Sequence, residues 1–460
     1  MDLIPVIAIF DIGKTNKKFF LFDESYEVVF EKSTKLPEIN DEDGFPCDDI
    51  KGIEQFITHS IKEISQMRDF DLKAVNFTAY GASFVYINDK GKPLTPLYNY
   101  LKPYPDELKA AFYSKYGGEE YFSMITASPV LGSLNSGMQL LRIKYEQPQV
   151  FGAIQYALHL PQYLSFLVTG RAVSDITSVG CHTNLWDFSK GRYHQWVEAE
   201  QIEGKLAPLA TADSSIKVTL DGRSLNAGIG LHDSSSALIP YLVNFNEPFA
   251  LLSTGTWCIT LNPFNDYPLT IDELKADCLC YMSYEMKPIK AARLFAGFEH
   301  ETETARIAQK FSVDPAVFSA IKYDPEIIAS LSARVYGSVE FTHTSTGLKT
   351  SVFSLRNLNT FSSHIEAYHQ LMVDLVDIQV KSSSLVLDKT PVARLFVDGG
   401  FSQNDIFMKL MANAMPQVEL FAASLAQATA LGAAMAIHKD WNTRKIPSDL
   451  IHVKQFKGPY

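Results

Sequence analysis

One local pattern occurs twice in this chain, and it constrains the fold more than any other. An apolar run, Val6-Ile7-Ala8-Ile9-Phe10, leads into Asp11-Ile12-Gly13-Lys14-Thr15-Asn16 and then into a second apolar run, Phe19-Phe20-Leu21-Phe22. Past the middle, Phe249-Ala250-Leu251-Leu252 leads into Ser253-Thr254-Gly255-Thr256 and then into Trp257-Cys258-Ile259-Thr260-Leu261. Apolar runs of strand length on both sides of a short glycine-containing turn predict a β-hairpin in each case. Hydroxyls, amides and backbone N–H donors crowd both turns, which suits an anion. Two such hairpins, each opening one half of the chain, predict a duplicated fold that closes two loops on one anion. The natural anion is a nucleotide phosphate.

At 460 residues the chain exceeds one ordinary core, so two domains are expected. A content of 46% hydrophobic and 20% charged residues is globular. The net charge of −11 argues against nucleic acid or an anionic membrane as partner, whereas a phosphate site built from backbone amides tolerates it. Five cysteines are scattered along the chain, and Cys278-x-Cys280 has no second pair to complete a zinc site, so buried reduced thiols are expected. The segment from Met1 to Pro5 carries no basic region before its apolar stretch. That stretch therefore reads as a core strand and not as a signal peptide. No apolar run approaches the roughly 18 residues of a membrane span, and a cytoplasmic protein is expected.

The first half reads as strands at 5–11, 17–23 and 26–32, a helix at about 49–66 and a buried strand at 74–78. Helical patterning follows through 135–170, and a further helix runs from Ser234 to Tyr241. The second half repeats the plan, with strands in 249–262 and 278–291, helices at about 300–311 and 361–385, and a buried strand at 394–397. The boundary falls between Asn244 and Pro248. This gives an N-terminal domain at 1–246 with the first turn and a C-terminal domain at 247–460 with the second turn. The fold class is α/β, with mixed sheets in two domains around a cleft.

Gly13-Lys14-Thr15 resembles part of a Walker loop, but Ala8 stands where that motif needs its first glycine, and the turn joins strand to strand. The functional reading is a hairpin turn whose N–H groups meet a phosphate, with Asp11 holding Mg²⁺ through water; an ordinary Asp-Gly turn is the other. Asp398-Gly399-Gly400-Phe401-Ser402-Gln403-Asn404 follows a buried strand, where paired glycines allow close backbone approach to a ring or ribose. An ordinary strand-to-helix turn has the same pattern. His232-Asp233 sits where a glycine-rich turn meets a helix. A carboxylate there is a candidate general base, and equally a helix cap. His182 and His300 have no partner at metal-ligand spacing and are taken as structural or exposed.

These pieces together resemble the FGGY carbohydrate kinases, along essentially the whole chain and in the same order. The resemblance implies a duplicated actin/hexokinase-like (ribonuclease H-like) ATPase fold that uses ATP and Mg²⁺. It also implies that the N-terminal domain carries the sugar site and the C-terminal domain the adenosine site. Asp11, Gly13, Lys14, Thr15 and Asn16 match the first phosphate motif, and Thr254, Gly255 and Thr256 the second. Gly399, Gly400 and Asn404 match the adenosine motif, and Ala430-Leu431-Gly432-Ala433-Ala434 its closing helix. Leu167-Val168-Thr169-Gly170 with Asp175 is similar to the family's "LTG…D" stretch. Within the family, Gly230-Leu231-His232-Asp233-Ser234 and the Gly-Thr-Trp form of the second turn look most like L-rhamnulose and L-fuculose kinases. The resemblance makes Asp233 the catalytic base, Asp11 and Asp233 the metal carboxylates, and Gly81, Ser83, His232 and Asp233 the sugar site. The implied partner is a small-molecule sugar, with no nucleic acid and no membrane; a homodimer stays open. The chain departs from the family pattern at Lys14, Ser83, Asn99, Lys102, Leu294 and Gln427. Two alternatives therefore stand beside the ketose kinase: a xylulose- or ribulose-type kinase, and a catalytically silent nucleotide sensor on the same fold.

Overall fold

The computed structural model describes residues 3–220, 222–332, 342–343, 349–425 and 427–457. Its frame is two mixed sheets, one in each half, each of seven strands. The first contains β1 (Ile4–Ile12), β2 (Lys17–Asp23), β3 (Val28–Thr34), β4 (Phe70–Ala79), β5 (Ser215–Leu220), β6 (Arg223–Gly228) and the short β7 (Leu231–His232). Its order is β5-β6-β4-β1-β2-β3, with β7 on β4. Central β1 runs antiparallel to β2 and parallel to β4, placing Ile9 opposite both Phe20 and Asn76. Val6, Ala8 and Phe10 face one core with the helix α1 (Ile50–Gln66), while Ile7 and Ile9 face another. Burial on both faces is why β1 reads as a continuous apolar run and not as an alternation.

In the second half, β8 (Phe249–Thr254), β9 (Cys258–Asn262), β10 (Cys278–Met282), β11 (Pro288–Leu294), β12 (Arg394–Gly399), β13 (Glu419–Ser424) and β14 (His452–Phe456) are ordered β10-β11-β9-β8-β12-β13-β14. Here β8 repeats the part of β1, antiparallel to its hairpin partner β9 and parallel to β12. The duplication expected from the two turns is thus present in the strand pairing of both sheets.

Helices α2 (Asp233–Asn244), α3 (Ala296–Phe311), α4 (His364–Leu387) and α5 (Ala428–Ala436) complete the frame. Two of them exchange sides. α2 leaves the first sheet and packs Leu238 and Tyr241 against Phe249, Leu251 and Phe396 of the second. α5 leaves the second sheet and packs Ala430, Ala433 and Ala434 against Ile7, Ile9, Phe20 and Phe22 of the first. They cross at Gly432, where a β-carbon would lie 1.8 Å from the Ser236 carbonyl oxygen. Ser236 Oγ donates to the Thr429 carbonyl at 2.8 Å, and Asn76 Nδ2 donates to the Ala433 carbonyl at 2.8 Å. The small residues of α5 serve this crossing.

The structure corrects two sequence expectations. Helical patterning through 135–170 is interrupted by a strand, Tyr156–His159, paired antiparallel with Phe84–Ile87. The following helix begins at Leu160, and Pro161 in its first turn is the local signal for that start. Helix α3 begins at Ala296, four residues before the expected start, because its first turn packs on the second hairpin: Phe298 N donates to the Thr256 carbonyl at 3.2 Å.

Candidate active site

A backbone hydrogen bond from Gly13 N to Asn16 O, 3.0 Å, closes the first turn. Beneath it lies Lys17, only 1% exposed, whose ammonium donates to the carbonyls of Gly13 (3.0 Å) and Lys14 (2.9 Å) and to Asp48 Oδ1 (2.8 Å). Asp48 Oδ2 accepts from Lys14 at 2.6 Å and from the Tyr80 hydroxyl at 2.8 Å. Lys14 also pairs with Glu38 at 3.0 Å, so the charge expected among the phosphate ligands is held by two carboxylates. Burial works to raise the Asp48 carboxyl, but the hydrogen bonds from Lys14 and Lys17 outweigh it and hold it below the usual carboxylate range. Thr15 is exposed at the tip and Asn16 is half-buried.

Asp11, near the end of β1, lies opposite Lys18 of β2 and Thr78 of β4. Burial, and then the nearby Asp233 carboxylate, push its carboxyl up to about 7 against the pull of Lys18. Two carboxylates that repel one another in this way form a setting for a cation. Among the described residues no three His, Cys, Asp or Glu side chains converge as a metal cage. A pair of hard carboxylates without a cage fits Mg²⁺, which keeps several waters and takes its other ligands from substrate phosphates.

Asp233 is the first residue of α2, and His232 occupies the cap position. Its Oδ1 accepts from Ser234 N at 2.6 Å, and its side chain is 35% exposed. The buried His232 places Nε2 3.3 Å from both Asp233 Oδ1 and Cys181 Sγ, with its ring stacked on Tyr281 at 5.7 Å. Burial lowers its pKa although Asp233 opposes this, so the ring is neutral. Nδ1 is buried with no partner among the described groups. Gly81 makes room for this ring, since a β-carbon there would come 2.7 Å from His232 Cδ2. Behind the turn, His232 N donates to Thr177 Oγ1 at 3.0 Å, and Thr177 Oγ1 donates to the buried carboxyl of Asp175. The "LTG…D" aspartate therefore acts on the backbone before Asp233.

Gly81, His232 and Asp233 are thus brought together. Ser83 is close in sequence, but its hydroxyl is spent on the Tyr98 carbonyl at 3.1 Å. Asn99 donates to the Pro46 carbonyl at 2.9 Å, and Lys102 is held by Asp41 and Asp43, each at 2.6 Å.

On the other half, Thr254 fastens the second turn to the glycine motif. Its hydroxyl donates to the Asp398 carbonyl at 2.6 Å and accepts from Phe401 N at 3.0 Å. Gly399, with φ +90°, has no space for a side chain, because a β-carbon would fall 1.9 Å from the Thr254 carbonyl. Asn404 caps the next helix by accepting from Phe407 N at 2.9 Å, and its amide donates to the Tyr368 hydroxyl at 2.8 Å. A cavity of about 440 Å³ opens here, lined by Thr254, Gly255, Gly400 and Asn404 together with His300 and Tyr368. Thr256 is exposed beside it. His300, taken from the sequence as structural or exposed, bonds Tyr368 at 3.0 Å and forms part of this wall.

Between the halves lies a larger cavity, about 710 Å³, with Tyr100, Lys102 and Leu131 on one wall and Trp257, Asp277 and Arg293 on the other. Sequence reasoning missed Lys17, Asp48, Tyr80, Tyr100, His300 and Arg293 as participants. None stands in a local motif.

Comparison with known proteins identifies the family and the fold. The N-terminal domain of the FGGY family of carbohydrate kinases matches residues 6–234, and the family's C-terminal domain matches residues 324–438. A rhamnulokinase from Oceanobacillus iheyensis is 23% identical over 257 residues, covering 53% of this chain and 52% of that protein. The chain thus spans about half the length of the curated relatives it matches. A carbohydrate kinase from Novosphingobium aromaticivorans superposes with a TM-score of 0.80 at 22% identity, over 99% of this chain and 95% of that one. A xylulose kinase from Lactobacillus acidophilus gives 0.78 at 16% identity, over 99% and 94%. The fold is the actin/hexokinase-like ATPase fold, and with both family domains matched in order, the chain belongs to the FGGY family of carbohydrate kinases.

Proposed function

We propose that this protein is an ATP-dependent kinase that phosphorylates a hydroxyl of a small ketose, of the L-rhamnulose or L-fuculose kind, with Asp233 as general base. One observation carries the reading: Gly81, His232 and Asp233 meet at a single point, with Asp233 close enough to Asp11 to raise its carboxyl. A partly exposed carboxylate at a helix start, backed by a neutral buried imidazole, suits proton acceptance.

The acceptor binds against Gly81 and His232 with one hydroxyl facing Asp233. As the γ-phosphoryl transfers in line to that oxygen, Asp233 takes the hydroxyl proton and ADP leaves. The two turns hold the phosphates, with Gly13, Asn16 and Thr15 from the first half and Thr254, Gly255 and Thr256 from the second. Gly399, Gly400 and Asn404 take the adenosine in the 440 Å³ cavity. Asp11, with Asp233 beside it, would hold Mg²⁺, which neutralises phosphate charge when bound. Lys14 and Lys17 act from underneath, by fixing the turn. Closure of the halves excludes water from the transfer. A cytoplasmic setting suits five cysteines that are all free and buried, and no helix among the described residues is long and apolar enough to cross a membrane.

The test is ADP release with Mg-ATP against L-rhamnulose, L-fuculose, D-xylulose, D- and L-ribulose, L-xylulose and glycerol. Turnover on a ketose is expected. Tight ATP binding without turnover on any ketose would overturn the reading.

A further inference from the structure

A chain of hydrogen bonds runs along the wall of the 440 Å³ cavity and has one free end, at His300. It starts at a helix cap, where Asn404 Oδ1 accepts from Phe407 N at 2.9 Å. This fixes the amide, so Asn404 Nδ2 donates to the Tyr368 hydroxyl oxygen at 2.8 Å. Tyr368 is 1% exposed, and burial pushes its hydroxyl up to about 12, so it keeps its proton. Having accepted from Asn404, that hydroxyl has one hydrogen to place, and its other partner is His300 Nε2 at 3.0 Å. Burial pulls the His300 ring down to about 4, so the imidazole is neutral. A neutral imidazole that accepts at Nε2 carries its hydrogen on Nδ1.

That Nδ1–H has no partner among the described groups and, in contrast to His232 Nδ1, it is not sealed from water. The space it opens on is the cavity that His300 lines. Other polar side chains on the wall spend their hydrogens inside the protein: Thr254 on the Asp398 carbonyl, Thr304 on the His300 carbonyl and Ser319 on the Ala316 carbonyl. The Asn404 amide is used at both ends, so its influence on a ligand passes through Tyr368 to His300.

The position of His300 along α3 says which part of a nucleotide it meets. Gly297, His300 and Thr304 follow one face of that helix along the cavity. Gly297 packs so closely on the second turn that a β-carbon would fall 1.8 Å from the Gly255 carbonyl oxygen. At about 1.5 Å of rise per residue, His300 stands about 4.5 Å along the axis from Gly297, and Thr304 about 10 Å. A nucleotide whose phosphates meet the second turn has its ribose one helical turn away and its base farther on.

Resting on the nucleotide assignment of the kinase reading, we propose that His300 is a nucleotide-specificity residue whose Nδ1–H donates to a ribose hydroxyl oxygen, with Asn404 and Tyr368 as positioning residues that fix its tautomer. The consequence is a preference for ATP over analogues that lack this hydroxyl. A donor left unpaired on the cavity wall corresponds to about 10-fold in affinity.

Calorimetric titration in the absence of any sugar compares ATP, 2′-deoxy-ATP, 3′-deoxy-ATP and 7-deaza-ATP. In the wild type at least one deoxy analogue should bind about 10-fold more weakly than ATP, with 7-deaza-ATP unchanged. His300→Phe should lower ATP affinity to the level of that analogue and abolish the discrimination. His300→Asn, which keeps an N–H near the place of Nδ1, should retain part of it. Nitrogen-15 NMR of histidine-labelled protein should show the imidazole that is missing from His300→Phe as the Nδ1–H tautomer, and Tyr368→Phe should release it from that form. Equal binding of ATP and both deoxy analogues by the wild type overturns the proposal, and this needs no variant to fold. So does an Nε2–H tautomer in the wild type, or a deoxy penalty that survives in His300→Phe. Ribose discrimination without turnover on any ketose sinks the kinase reading and leaves this one standing; turnover without discrimination does the reverse.

Discussion

Replacing Asp48 by asparagine probes how the first turn is held. Lys17 is 1% exposed and depends on Asp48 Oδ1 and two turn carbonyls. Asparagine keeps an acceptor but removes the charge, leaving a desolvated ammonium without a counter-ion. Breaking a buried pair from one side costs about 3–5 kcal/mol. Lys14 adds little, being 26% exposed and still paired with Glu38. Asp48→Asn should therefore lose about 3–4 kcal/mol in urea unfolding followed by circular dichroism. Lys17→Met should cost less, because Asp48 keeps Lys14 and Tyr80 as donors. The double variant should be milder than the sum by about 2 kcal/mol, since the two groups share one contact. The same variants should raise the ATP Michaelis constant, as the turn carbonyls lose their cap. A loss below about 1 kcal/mol for Asp48→Asn, or a strictly additive cycle, would refute the idea that this pair holds the turn.

Other sites give narrower tests. Gly81→Ala puts a methyl 2.7 Å from the His232 ring, so the acceptor kcat/KM should fall at least about 10-fold while nucleotide affinity holds. Thr254→Val removes a donor to the Asp398 carbonyl and an acceptor for Phe401 N; it should destabilise the protein by about 1–3 kcal/mol and weaken nucleotide binding, both readable in one calorimetric titration series. Glu200 is opposed by burial, yet hydrogen bonds from Lys115, Lys144, Tyr116 and Tyr145 pull its pKa down to about 2. A depressed carboxyl contributes stability above its unfolded value near 4.5 and loses it as the pH falls towards 2. Acid titration of urea stability should show the wild type losing about 2–3 kcal/mol more than Glu200→Gln across that window.

How much of this was legible in the sequence depends on how local the signal is. Both hairpins could be read because apolar strand runs and a turn glycine lie within a dozen residues, and the duplication followed from seeing them twice. Asp233 and Gly399-Gly400 were legible for the same reason, each at a junction of strand and helix. Asp48 was not: its partners Lys14 and Lys17 stand 34 and 31 residues away. The direction of Lys14 followed from that distant carboxylate and not from its place in the turn. Arg293 and His300 reach their cavities only because sheet order brings β11 and α3 beside the second turn. The strand Tyr156–His159 was hidden in a long apolar stretch where strand and helix look alike. The role of the α5 alanines was open until Gly432 was seen against Ser236.

The central claim is that Asp233 removes the acceptor proton, and the rate of Asp233→Asn measures it most directly. Asparagine preserves the size of the side chain and an acceptor for Ser234 N. ADP formation with the best ketose should fall by about 10²–10⁴-fold, with circular dichroism and nucleotide affinity unchanged. A variant that keeps near wild-type turnover would contradict the account and remove Asp233 from the chemistry.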